Sequence, residues 1–123
     1  MMLLNDLYNI CCCEEIDGGL NYSIKLNPNH FIFKAHFPNN PITPGVCILQ
    51  IVEELLEKHF KCGITLDMVK NIKFLSVISP NVDNCIQYRF STITHEGNTI
   101  NAKVNVLSGS HLFAKISASY HIC

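Results

Sequence analysis

The chain has no long apolar run, no long basic run and no C-x-x-C pair, and each absence removes a class of function. No stretch approaches the roughly 18 apolar residues that a membrane span needs. The opening MMLLNDLYNI is apolar in places, but it has no basic flank and Asn5 and Asp6 interrupt it. It does not read as a signal peptide, so a cytoplasmic protein is expected. Charged residues make up only 15% and the formal net charge is −1, which speaks against non-specific nucleic-acid binding. Seven cysteines are present, three of them consecutive at Cys11, Cys12 and Cys13. Without metal-ligand spacing they predict reduced thiols, some of them core filler, and neither a metal nor a cofactor is expected. His59, His95, His111 and His121 also lack ligand spacing, and His30, near His36 in sequence, could line a site entrance; all five are expected to be structural or surface residues.

What remains is a chain of 123 residues with 48% apolar content, enough for one domain, 1–123, with a continuous core. Leu3, Leu4, Leu7, Ile10 and Cys11 recur at helical spacing, which predicts a short helix over 3–13, ended by Asp17-Gly18-Gly19. From Leu20 to Leu26 the period is two, a half-buried strand. Phe31, Ile32 and Phe33 form a short apolar run, extended or looped. Three further alternating stretches, 86–92, 100–106 and 112–120, are joined by short turns and imply antiparallel neighbours; 68–78 is β-rich with blurred alternation.

The densest local information lies in HFPNNPITPGVCILQIVEELLE, residues 36–57. Pro41 and Pro44 hold the preceding residues extended, which stiffens the loop. Thr43 is expected as the helix N-cap with Pro44 at the first helical position. Ile48, Leu49, Ile51, Val52, Leu55 and Leu56 then form one apolar face, and Gln50, Glu53, Glu54, Glu57 and Lys58 the other. Cys62-Gly63 is expected to close the helix. The free Gly45 N–H at the helix start could stabilise a carbonyl or enolate oxygen. His36 is a candidate general base near neutral pH. Gln50, on the second helical turn, can donate or accept a hydrogen bond.

HFPNNPITPGV resembles the signature of the β-hydroxyacyl-acyl-carrier-protein dehydratases, which have the hotdog fold. His36, Phe37, Pro38, Pro41, Pro44, Gly45 and Val46 match that motif in identity and spacing. The resemblance implies an α+β hotdog fold, an antiparallel sheet wrapped around one long central helix. It also implies a dimer, or a higher multiple of dimers, with the site at the subunit interface. His36 would correspond to the histidine that removes the α-proton of a 3-hydroxyacyl thioester. The Gly45 amide would correspond to the one that polarises the thioester carbonyl. Phe37, Pro44 and Val46 would lie against substrate, carried by acyl carrier protein or coenzyme A. Two departures stand out: Asn39 replaces a glycine, and Gln50 replaces the carboxylate that helps protonate the departing hydroxyl. Glutamine can hold that hydroxyl but cannot protonate it. Glu53 or Glu54, about 5–6 Å away by helix geometry, could substitute through water.

Three functions therefore stand: a dehydratase of 3-hydroxyacyl thioesters in fatty-acid or related lipid or polyene synthesis, a hotdog thioesterase, and a non-catalytic subunit that binds acyl groups or carrier protein. Lys34, Lys70, Lys73 and Arg89 are candidates for a basic docking patch, against the simpler reading of ordinary solvated charges.

Overall fold

The structure is a computed structural model that describes residues 2–35 and 39–123. Among the described residues the elements run β1 (Tyr8–Ile16), β2 (Gly19–Leu26), α1 (Phe31–Ala35), α2 (Gly45–Phe60), β3 (Ile64–Phe74), β4 (Cys85–Glu96), β5 (Thr99–Ser108) and β6 (His111–Ile122). The strands form one antiparallel sheet in the order β1-β2-β4-β5-β6-β3. Two-residue turns close the hairpins, with Gly18, Gly97 and Gly109 at φ +79°, +58° and +59°, the left-handed region that such turns need.

The helix expected over 3–13 does not form. Leu3 to Leu7 make a turn, and Tyr8 to Ile16 pair with β2 as an edge strand. The apparent helical spacing joined two unlike pieces. Leu3, Leu7 and Tyr8 are buried, whereas Cys11 to Glu15 are exposed. The run 31–33, read as extended or looped, belongs instead to the short helix α1.

Alternation puts Leu20, Tyr22, Ile24 and Leu26 of β2, Ile86, Tyr88 and Phe90 of β4, and Ile100, Ala102, Val104 and Val106 of β5 on one face. Ala114, Ile116, Ala118 and Tyr120 of β6 join them, and α2 fills the concavity with Cys47, Ile48, Ile51, Val52, Leu55 and Leu56. The Tyr88 hydroxyl donates to the Ile48 carbonyl at 3.1 Å and fixes the helix to the sheet. All seven cysteines are free thiols, and Cys47 is the one that fills core. No helix among the described residues is long and apolar enough to cross a membrane.

Both expected ends of α2 shift. Pro44 is the N-cap residue, extended at ψ 143°, and the helix starts at Gly45. Thr43 does not cap; its hydroxyl is buried without a partner among the described residues. At the other end Lys61 takes the left-handed conformation (φ 57°) and its N–H bonds the Glu57 carbonyl, so the helix stops before Cys62-Gly63. Glu54 departs further from expectation. It is not on a solvated face but buried at 3% exposure. Its carboxylate accepts the Leu3 and Leu4 N–H groups, each at 2.8 Å, and the Tyr8 hydroxyl at 3.1 Å. The N-terminal turn folds over that stretch of the helix and shuts the water out.

Candidate active site

The proline-framed loop enters α2 along a defined path. Asn39 and Asn40 are exposed, and Pro41 to Pro44 run without regular structure. The Thr43 N–H bonds the Ile78 carbonyl at 2.8 Å, which ties the loop to the segment after β3. His36 and Phe37 lie outside the described residues, as does Pro38.

At the start of α2 the Cys47 and Ile48 N–H groups both bond the Pro44 carbonyl, at 3.0 and 3.1 Å. Gly45 and Val46 stand before them, in the first turn, where an amide has no intrahelical acceptor. With the dipole's positive end, these amides can stabilise negative charge on an oxygen. Gly45 has a second reason to be glycine. The Phe74 ring lies so close that a Cβ at position 45 would sit 2.8 Å from its Cζ. Phe74, absent from the motif, is therefore a neighbour of the site that only the return of β3 to the helix start reveals.

Gln50 sits partly buried along the same helix. Its carboxamide nitrogen donates to Glu53 at 3.2 Å and to Glu54 at 3.1 Å. Spacings of three and four residues put these side chains together, as helix geometry requires. Neither carboxylate is at large. Glu53 also accepts the Leu66 N–H at 3.0 Å, and Glu54 is held by the N-terminal turn. The described geometry gives each of them a structural task.

Beside Gln50 lies a pocket of about 170 Å³, lined by Val46, Leu49, Gln50, Glu53, Leu66 and Tyr120. Val46 is 67% exposed at its rim. The Tyr120 hydroxyl is buried without a partner among the described residues, and burial together with Glu53 pushes its pKa far up, so it stays protonated. Val46 and Pro44, expected against substrate, thus flank the helix start, and Val46 reaches this pocket. Gly45 and Gln50 lie on one helix, five residues apart in sequence.

A model of the ApeI-like family, described as ApeI dehydratase, matches residues 13–111. The 3-hydroxyacyl-[acyl-carrier-protein] dehydratase FabZ of Caldanaerobacter subterraneus subsp. tengcongensis is 28% identical over 94 residues, 76% of this chain; the match spans 60% of that relative's length. Among solved structures, the dehydratase heterocomplex ApeI:P from Xenorhabdus doucetiae superposes with a TM-score of 0.71 at 15% identity, covering 91% of this chain and 96% of that one. A hypothetical thioesterase protein with coenzyme A from Streptococcus pneumoniae TIGR4 gives 0.64 at 12% identity, covering 94% and 85%. Both likenesses speak for the fold, which is the hotdog fold. With four-fifths of its length under one family model, the chain belongs to the ApeI-like dehydratase family.

Proposed function

We propose that this chain dehydrates 3-hydroxyacyl thioesters to trans-2-enoyl thioesters and water, with acyl carrier protein or coenzyme A as the thiol. The observation that carries the reading is the start of α2, where a glycine amide without an intrahelical acceptor follows a family-matched proline loop. His36 removes the α-proton, and the Gly45 N–H takes the charge that develops on the thioester oxygen. Gln50 holds the departing hydroxyl, and His36 hands on to it the proton taken from the α-carbon, so that it leaves as water while the enolate electrons form the double bond. The pocket behind Val46 and Leu49 offers apolar walls for the acyl chain.

A dimer, or a multiple of dimers, accompanies this reading. Among the described residues β3 ends the sheet with one edge unpaired, and Met68, Phe74 and Leu75 on and beside it are more than half exposed. A second hotdog chain laid along that edge would cover them.

One observation favours a second reading, a non-catalytic acyl-binding subunit. Gln50 cannot protonate a leaving group, and the carboxylates within its reach, Glu53 and Glu54, are engaged with main-chain N–H groups. The similar structure from Xenorhabdus doucetiae is a heterocomplex; under this reading a non-identical partner would carry the catalysis.

The purified protein, given a 3-hydroxyacyl carrier protein or coenzyme A thioester, should form the enoyl product by mass spectrometry, and His36→Ala should abolish it. Turnover in Gln50→Glu but none in the natural protein would sink the enzyme reading in favour of the binding one. Release of free acid would point to a thioesterase. A clean monomer on sizing would rule out a site shared between subunits.

A further inference from the structure

The sheet face turned away from α2 divides its charge unevenly. One rung of the register crosses the sheet as Glu14, Asn21, Arg89, Asn105, Lys115 and Lys73. The next rung carries Lys103, Ser117 and Asn71. Lys70, beside a bulge in β3, donates to the Asn101 side chain at 2.7 Å. Five of the chain's nine lysines and arginines thus stand on the β4-β5-β6-β3 half of this face. Acids stand at its margins. Glu14 accepts from Asn21 on the β1 side, and Asp67 is occupied with Ser119 and His121 near the start of β3. Among the described residues none of the five cations makes an ion pair.

The surface between them is concave. A groove of about 410 Å³ is lined by Asn71, Ser91, Lys103, Asn105, Lys115 and Ser117. It lies between two β-bulges, one in β4 between Phe90 and Thr92 and one in β3 between Val69 and Asn71. Bulges increase local twist, which turns a flat face into a saddle.

We propose that this basic saddle is a docking surface for an acidic stretch of polypeptide, its carboxylates set against Lys103 and Lys115 and flanked by Lys73 and Arg89. The dimensions suit it. Arg89 and Lys73 stand three strand spacings apart, about 14 Å, and successive rungs about 7 Å. Carboxylates one helical turn apart, about 5.4 Å, meet such a lattice several at a time. Exposed ammonium groups spread over an open face match distributed charge better than a single enclosed phosphate. Among the described residues no aromatic ring lines the groove, which leaves bases nothing to stack on there. A second copy of the chain placed face to face would bring the same cations together. The proposal does not depend on whether the thioester site turns over.

The test is fluorescence anisotropy of a labelled glutamate-rich peptide titrated with the full chain. Binding should weaken about tenfold as salt rises from about 0.05 to 0.3 M, because the contacts are screened. Lys103→Glu with Lys115→Glu should weaken it by at least about tenfold, and Lys58→Glu with Lys61→Glu, an equal change of charge at the C-terminal end of α2, by less than about twofold. Thermal melts confirm that each variant is folded. Absence of binding by the natural protein, or equal losses in the two double variants, would overturn the proposal. Tighter binding of a single-stranded oligonucleotide of equal charge would assign the face to nucleic acid instead. Self-association that Lys103→Glu with Lys115→Glu abolishes would assign it to a second copy.

Discussion

Replacing Glu54 by glutamine keeps the shape of the side chain and removes one acceptor oxygen. In the native arrangement one carboxylate oxygen accepts the Leu4 N–H and the Tyr8 hydroxyl, and the other accepts the Leu3 N–H and the Gln50 amide. In the variant an NH2 group must face one of these two sets. Tyr8 can rotate its hydroxyl and Gln50 can flip its amide, but a main-chain N–H can do neither. One buried N–H is left without an acceptor, at about 1–3 kcal/mol. The surviving bonds change from charge-assisted to neutral and lose about half their strength, roughly 1–2 kcal/mol in sum. The total, about 2–5 kcal/mol, is a large share of the stability of an ordinary domain. A chain of this size should then melt about 8–20 °C lower. Thermal melts at neutral pH measure this, and limited proteolysis should show early cleavage ahead of Tyr8. A loss below about 1 kcal/mol, with the first residues still protected, would refute the account of Glu54 as the anchor of the N-terminal turn.

Other predictions follow from close approaches and buried hydroxyls. Gly19→Ala should be severely destabilising, by about 3 kcal/mol or more, because its Cβ would fall 1.8 Å from the Phe90 carbonyl oxygen, a main-chain atom that cannot swing away; soluble yield and melting temperature report it. Among the described residues Gly45→Ala meets the half-exposed Phe74 ring. Its effect should be small, about 1 kcal/mol, and should vanish in a Phe74→Ala background, as a double-mutant cycle would show. All four tyrosines are held protonated by burial, with pKa values pushed well above the ordinary 10.0, and the buried Cys47 thiol is pushed up as well. Groups whose folded pKa is raised contribute stability below the unfolded pKa and lose it as pH rises towards the folded one. Stability should therefore be intact at about pH 8 and fall steeply above about pH 9–10. Tyrosinate absorbance should rise in one step together with unfolding, and a gradual rise in the folded protein would contradict the burial.

Much of this was legible in the sequence because the inner strands alternate cleanly. β2, β4, β5 and β6 each bury one face against α2, so the period of two survives in the residues. β1 gave no such signal. It lies at the sheet edge, and from Cys11 to Glu15 nothing is buried, so the leucines before it set a misleading period. Glu54 was misplaced for a related reason. A helical wheel records neighbours on the helix, and the groups that bury Glu54 lie some fifty residues earlier in the chain. The spacing of Gln50, Glu53 and Glu54 did foretell their contact, but not that Leu66 and the N-terminal turn engage the two carboxylates. The motif marks Gly45 and Val46, which stand together at the helix start, while the contact of Phe74 with Gly45 needed the path of β3.

The strand order has a kinetic consequence. β4, β5 and β6 are joined by tight hairpins and can zip locally, as can β1 and β2. The seams that complete the sheet are different. β2 pairs with β4 through Leu20 and Phe90, and β3 pairs with β6 through Ile64 and Ile122. Each closes a long loop whose entropy is lost before its contacts form. Folding should thus be slow for a chain this short, with the β4-β5-β6 meander structured in the transition state and the β3 edge joining last. Until it joins, β6 keeps an open edge, and the newly made chain is most prone to aggregate then.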